Sequence, residues 1–496
     1  MDTLTAARVQ MELSLGFHMI FAAVGMAMPL MMLIAEGRWL RTGDPDALGL
    51  ARTWAKVTAV LFAIGAVSGT ALSFELGLLW PRFMAFAGPL IGLAFALEGY
   101  AFFIEAIFLG LYLYGWNRLS PLAHWLCGWP VALSGAASGI LVVSANAWMQ
   151  SPVGFELGPS GGPIDVDPLA ALFNPAWGYM AAHSTLSTYQ AVGFATAGVY
   201  AWALVRNRHP ARRGYNRLAV IIAMILAAIT AVLQPITGDF LARRAHDAQP
   251  AKLAALEGQF RTERGAPLRI GGWPDPATQQ TRWAIEIPNG LSLLATHHPN
   301  GLVLGLEAFP RDQWPNVRIV HTAFQVMVGA GFIMLGVAAW YWWTWWRSWR
   351  GRCRPGSAGD LSRGPPATLP TRSRQRSGNM GVPTVRSSQA DWSSSRLLLW
   401  TLVLAAPLGF LALEAGWIVT EVGRQPWIIY DVMRTSEAVT PAAEVGASLA
   451  GFVLLYSGLA VTLVFLLRRL ARGADEPDEA TSPPGYSATG ALGAHA

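Results

Sequence analysis

Eight ionisable side chains stand inside long apolar stretches of this sequence: His18, Glu75, Glu98, Glu105, His183, His321, Glu414 and Glu421. Holding such a group in hydrocarbon is expensive, so each one is a functional candidate with a partner to be found. Glu98 and Glu105 lie seven apart in LEGYAFFIEAIFLGL, about two helical turns, which puts both carboxylates on one face. Stacked acids in an apolar helix suit the passage of a proton from one to the next; the plainer alternative is that each hydrogen-bonds a neighbouring helix. Imidazoles at 18, 183 and 321, the thioether of Met327 and the Glu421 carboxylate are the donors an iron-bound macrocycle takes axially. For any one of them the ordinary alternative is an interfacial residue or a packed core methionine.

The elements that must position these groups are membrane helices. Only 13% of the 496 residues are charged while 53% are hydrophobic, and the mean hydropathy is +0.35. That leaves too little charge for the surface of a soluble protein of this length. Nine stretches reach the roughly 20 apolar residues a span needs, at about 14–35, 55–79, 89–113, 123–147, 178–205, 217–238, 318–346, 397–420 and 445–468. The first stretch lacks a basic flank and a small-residue cleavage site, so it is expected to stay as a helix. With the N-terminus outside, the inner connections hold 23 Arg and Lys against 4 in the short outer segments. The fold class is therefore an all-α polytopic membrane protein of nine transmembrane helices, N-terminus outside and C-terminus cytoplasmic. The net charge of +6 is mostly cytoplasmic anchoring, which argues against a nucleic-acid partner.

This topology gathers the donors. His18, His183, His321 and Met327 open helices that enter from the outer face, and Glu421 closes one that leaves there, all within roughly 15 Å of that boundary. Residues 1–238 then carry helices one to six, 239–317 an ordered outer lobe, 318–346 helix seven, and 397–472 helices eight and nine. The basic Arg/Ser/Pro/Gly-rich segment 347–396 is expected to be a disordered linker and 473–496 a disordered tail. Cys127 and Cys353 lie in surroundings too different for a disulfide, and no CxxCH or iron–sulfur spacing occurs.

FHMIF in helix one, LEGYAFFIEAIFLGLYLYGWNRL in helix three, NAWMQSP after helix four and EAGWIVTEVGRQPW after helix eight resemble subunit I of cytochrome bd-type quinol oxidases, over residues 6 to 468. The resemblance implies a haem-bearing subunit of a bacterial cytoplasmic (inner) membrane that oxidises quinol near the outer face and reduces O2 to water. By the same resemblance His183 and Met327 are the axial ligands of a low-spin haem b. His18 and Glu421 hold a high-spin haem b and haem d, or a second high-spin haem b in its place, in an order the motifs leave open. It assigns Lys252 and Glu257 to quinol in the 239–317 loop, Arg8 and Arg424 to haem propionates, Asn146 and Trp417 to the haem surroundings, and Glu98 and Glu105 to proton conduction. His321 is disfavoured as a ligand, since it lies six residues and about 240° around the helix from Met327. The implied partners are a second large subunit (subunit II), a small single-span subunit, ubiquinol or menaquinol, O2 and the lipid bilayer.

Three departures stand out. Family members commonly carry Arg two residues before the methionine ligand, where this chain has Gln325; the loss of that cation bears on the low-spin haem. The paired glutamates are seven apart rather than eight, as in the cyanide-insensitive branch, and the quinol loop is the short form. Two other classes compete with the oxidase. A haem-b electron carrier without oxygen chemistry would place histidine pairs about thirteen apart on shared helices, and no helix here has one. An ion-coupled transporter using Glu98 and Glu105 would favour inverted repeats and leave the His and Met donors without a task.

Overall fold

The structure, a computed structural model, describes residues 2–352 and 392–473. Its long helices are α1 (Thr3–Thr42), α2 (Pro45–Leu79), α3 (Pro81–Gly115), α4 (Pro121–Gln150), α6 (Trp177–Arg206), α7 (Arg213–Ala248), α10 (Val317–Arg352) and α14 (Val445–Gly473), with α11 (Arg396–Ala405) and α12 (Leu408–Val422) meeting at Pro407. Short helices α5 (Pro168–Leu172), α8 (Pro250–Glu257), α9 (Gly290–Thr296) and α13 (Thr435–Ala438) lie in the connections. The ends follow from local chemistry. Asp2 accepts from the Thr5 amide at 2.8 Å to start α1, and Gly43 ends it in the left-handed conformation. Prolines open α2, α3 and α4, where a missing N–H costs nothing.

The helices outrun the apolar stretches that signal them. α1 has 40 residues, about 60 Å, twice the hydrocarbon thickness of about 30 Å. Its amphipathic first turns therefore bring Arg8 and Glu12 into the same helix as His18. Likewise α7 continues to Ala248, ten residues past the expected boundary at 238. The expected stretch 397–420 is two helices, because Pro407 cannot donate to the ladder.

Among the described residues, eight helices are long and apolar enough to cross a membrane. α6 is a further helix of 30 residues that falls short of that apolarity. Its first half contains HSTLSTYQ, and Thr188 and Gln190 are buried, so these polar residues turn into the bundle rather than toward lipid. α6 packs against α1, α4, α7, α11 and α12. Gly193 permits the approach to α7, since a Cβ there would lie 2.9 Å from that of Ala227.

Most of the expected linker, with Cys353, and the expected tail lie outside the described residues. At its edges the linker departs from expectation: α10 runs to Arg352, and residues 392–394 form a 3-10 turn leading into α11.

Among the described residues, strands two or three residues long occur only in connections at one end of the bundle. β1 (Glu156–Leu157) and β2 (Pro163–Ile164) pair after α4, and β9 (Trp427–Ile429) and β10 (Met433–Arg434) after α12. Between α7 and α10 the pairs nest: β5 (Trp273–Asp275) with β6 (Gln280–Arg282), β4 (Leu268–Ile270) with β7 (Ile285–Ile287), β3 (Glu263–Arg264) with β8 (Leu302–Val303), all antiparallel. This lobe carries three strand pairs and the short helices α8 and α9. It shares a core with the bundle, in which Leu253, Leu256, Phe260 and Leu306 meet Val317 and Val320 of α10 and Val419 of α12.

Candidate functional site

A cavity of about 480 Å3 runs inside the bundle between α1, α2, α3, α4 and α12. Its lining reaches from Arg8 to Met26 along α1, about 27 Å. Eight of the residues singled out in the sequence face it: Arg8, His18, Glu98, Glu105, Asn146, Trp417, Glu421 and Arg424. Glu12 joins them, unmarked in the sequence because it precedes the apolar stretch by two residues.

His18 is held in one tautomer. The Ser68 hydroxyl donates to the Gly65 carbonyl at 3.1 Å, so its oxygen accepts from His18 Nδ1–H at 3.0 Å. The Nε2 lone pair is then left for a ligand bond, and a carbonyl- or hydroxyl-bound second nitrogen is the usual orientation of a metal-binding imidazole. Gly69 makes room for the ring; a Cβ there would lie 2.7 Å from His18 Cε1.

Glu421 accepts from Arg424 at 2.6 Å and from the Asn146 side-chain amide. Arg424 also donates to the Trp427 carbonyl at 3.3 Å and is 2% exposed, yet its Nη1 has no partner. An orphaned guanidinium nitrogen on a cavity wall fits an anionic group such as a propionate. The described residues contain no cluster of three or more His, Cys, Asp or Glu able to cage a metal ion. Single donors such as His18 and Glu421 on separate helices are what axial ligation of a macrocycle requires.

Two further acids, both on α3, line the same cavity. Glu98 accepts from Ser138 of α4 at 2.9 Å. Glu105 is buried with Oε1 unpartnered, beside Gly25 of α1 and Gly135 of α4. Of the other two acids, Glu75 accepts from Gln10 at 3.0 Å. Glu414 lines a second cavity of about 510 Å3, which shares Arg8, Glu12 and Trp417 with the first.

His183 and Met327 line neither cavity. They belong to a ring of helices in which α6 packs on α7, α7 on α10, α10 on α12 and α12 on α6, so the two residues project from opposite members. His183 Nδ1 lies 3.0 Å from Thr237 Oγ1, whose own hydrogen goes to the Gln234 carbonyl at 3.1 Å. The Gln234 amide lies 3.1 Å from His183 Nε2. The Met327 sulfur abuts Gly416, where a Cβ would lie 3.2 Å away. Gln234 and Thr237 were missed in the sequence, although polar residues three apart in apolar α7 are a usable signal. His321 has both nitrogens engaged, with Leu256 O at 2.7 Å and Gly271 O at 3.0 Å, and so clamps the lobe rather than offering a donor pair. Gln325 does likewise, accepting from the Gly271 amide at 2.9 Å and donating to Arg269 O at 3.0 Å.

The lobe's α8 is not a solvated helix face. Lys252 donates to Gln150 Oε1 at 3.1 Å and to the Thr420 carbonyl at 3.3 Å, and its stem packs on Gly423. Burial brings its pKa down to about 7, helped by Arg424 and opposed by Glu421. Glu257 is 1% exposed with both carboxyl oxygens unpartnered. Burial pushes it up to about 8, against the pull of Arg269. The two are five residues apart, about 140° around α8, so they face different surroundings.

The comparisons agree along the whole length. The family model for cytochrome bd terminal oxidase subunit I matches residues 6–475. The chain belongs to this family. It is 35% identical over 471 residues to the "Putative cytochrome bd menaquinol oxidase subunit I" of Bacillus subtilis (strain 168), covering 94% of this chain and 96% of that one. It is 28% identical over 510 residues to the cytochrome bd-II ubiquinol oxidase subunit 1 of Escherichia coli (strain K12), covering 95% and 96%. Among solved structures, the bd oxidase from Geobacillus thermodenitrificans superposes with a TM-score of 0.80 at 36% identity, over 95% of this chain and 99% of that one. This cytochrome bd subunit I is thus a multi-pass protein of a bacterial inner membrane.

Proposed function

We propose that this chain is the haem-bearing subunit of a terminal quinol oxidase, lying with its N-terminus outside, its C-terminus in the cytoplasm and α6 as a ninth span. The single observation that carries this reading is one cavity whose wall holds His18, Glu421 and Arg424 together with Glu98 and Glu105. Haem, when bound, supplies the electron transfer from quinol and the reduction of O2 to water. His183 and Met327 would hold a low-spin haem b. His18 and Glu421 would hold the high-spin pair, a haem b together with haem d or a further haem b. Arg8 and Arg424 offer their guanidinium groups to propionates, and Asn146 and Trp417 shape the walls.

The chain's own work is positioning and proton traffic. Ser68 fixes the His18 tautomer, and Asn146 with Arg424 holds the Glu421 carboxylate in one place. The lobe binds quinol, ubiquinol or menaquinol. There a buried Glu257 with two free carboxyl oxygens takes a proton from the hydroxyl and passes it outside, while Lys252 orders the junction between lobe and bundle. Glu105 and Glu98 conduct protons from the cytoplasmic side toward the oxygen site, so charge is separated across the membrane without a pump. Subunit II and a small single-span subunit complete the assembly.

The test is a dithionite-reduced spectrum of purified membranes combined with quinol-dependent O2 uptake. A far-red chlorin band or high-spin b features with quinol-driven O2 consumption are expected. Low-spin b bands without O2 uptake would sink the oxidase reading.

A further inference from the structure

Three fully buried side chains near the opposite end of the bundle are used by neither the cavity nor the lobe: Glu36 of α1, Tyr112 of α3 and His124 of α4, at 0%, 0% and 2% exposure. The Tyr112 hydroxyl donates to Glu36 Oε2 at 2.6 Å. His124 Nδ1 lies 2.7 Å from Glu36 Oε1, and Nε2 lies 2.8 Å from the Tyr112 carbonyl oxygen. A carbonyl only accepts, so Nε2 carries a hydrogen, and one further proton lies between Nδ1 and Oε1. The pair is neutral overall whichever atom holds that proton.

Its placement gives the proton a destination. Tyr112 follows Glu105 by seven residues, as Glu105 follows Glu98, so all three share one face of α3 at steps of about 10.5 Å. α4 supplies the other side of the seam. Ser138 donates to Glu98 at 2.9 Å. A Cβ on Gly135 would lie 3.2 Å from Glu105 Oε1, and one on Gly128 would lie 3.0 Å from Tyr112 Cε2. The cavity ends at Glu105 and Gly135, and the cluster continues its line by one step. On its other side His124 is one turn from the exposed residues 117–120, with its amide bonded to the Ser120 carbonyl at 2.9 Å. Trp116 covers the imidazole at 3.9 Å between ring centres, and Arg52 of α2, its Nε unpartnered, stands 5.2 Å over Trp116.

We propose that Glu36, Tyr112 and His124 form a proton relay that loads Glu105 from the inner surface. This rests on the oxidase reading and its orientation. The pair takes one proton from the side of residues 117–120, rising from zero to one positive charge, and releases one toward Glu105 past the Tyr112 hydroxyl. Arg52, the cation facing it from α2, disfavours the extra charge and so favours onward release.

The test uses the whole oxidase in membranes. Glu36→Gln combined with His124→Asn removes the proton while keeping the site neutral, and Tyr112→Phe removes one hydroxyl. Both variants should keep the wild-type reduced haem spectrum. The double variant should lose about a hundredfold in quinol-driven O2 uptake, with a solvent deuterium isotope effect larger than wild type. Wild-type turnover, or slower turnover with an unchanged isotope effect, would overturn the relay and leave a structural clamp. If the double variant loses haem, Tyr112→Phe decides by the same two readings. A wild-type preparation that consumes no O2 with quinol defeats the oxidase reading itself, which separates the two failures.

Discussion

Arg424 donates to Glu421 at 2.6 Å while another nitrogen of the same guanidinium, Nη1, is buried without a partner. The fork is thus half used within the chain, with its remaining donor at the cavity that His18 also lines. Arg424→Gln leaves the Glu421 carboxylate with only the Asn146 amide and removes the donor for a propionate. Breaking one partner of a buried pair costs about 3–5 kcal/mol locally. The reduced spectrum should lose its high-spin features while the low-spin band persists; intact high-spin absorbance would show that Arg424 has no part in holding that haem.

Glu257 gives a pH prediction. Its carboxyl is raised from an ordinary 4.5 to about 8 by burial, so folding takes up a proton between those values. The stability it contributes is fully present below about 4.5 and is lost as pH rises through about 8. Its capacity to accept a proton runs the other way, because the carboxylate forms only as pH climbs through the same value. Quinol oxidation should therefore rise across that range, and Glu257→Gln should flatten the rise and slow turnover about a hundredfold with haem content unchanged. An unaltered pH profile in that variant removes Glu257 from quinol chemistry.

Charge in lipid is what made the cavity readable. His18, Glu98, Glu105 and Glu421 stand out because few ionisable groups fall within the apolar stretches, and all four face one cavity. Glu12 was hidden because α1 begins eleven residues before the apolar stretch that signals it. The HSTLSTYQ run lowers the apolarity of α6, so its place in the bundle is decided by packing on five neighbours rather than by hydropathy. The Glu36–His124 pair spans 88 positions, and no local spacing could announce it. Lys252 is marked in the sequence only by the family resemblance, because its partners, Gln150 and the Thr420 carbonyl, come from distant helix ends. At Gln325 the sequence suggested only a missing cation; the structure shows an amide bonded to the lobe backbone at both ends.

Met327→Leu tests the other side of the α6–α7–α10–α12 ring. Leucine conserves volume against Gly416 and removes the sulfur, a swap that usually costs less than about 1.5 kcal/mol. The bundle should persist, the low-spin b spectrum should weaken or vanish, and the high-spin features should remain. An unchanged spectrum refutes Met327 as a ligand.

Ser68→Ala addresses the imidazole that the cavity depends on. The hydroxyl gives its hydrogen to Gly65 O and accepts from His18 Nδ1–H, which is what keeps the Nε2 lone pair in place for a ligand bond. Alanine fits the same helical position and removes only that constraint, so the ring can take either tautomer and rotate away from Gly69. Loss of such a supporting hydrogen bond costs about 10–100-fold in affinity for the group the histidine holds. Purified Ser68→Ala oxidase should carry less high-spin haem per polypeptide and regain it when haem is supplied in excess, whereas a stoichiometric haem content in the first preparation would mean that His18 needs no help from α2.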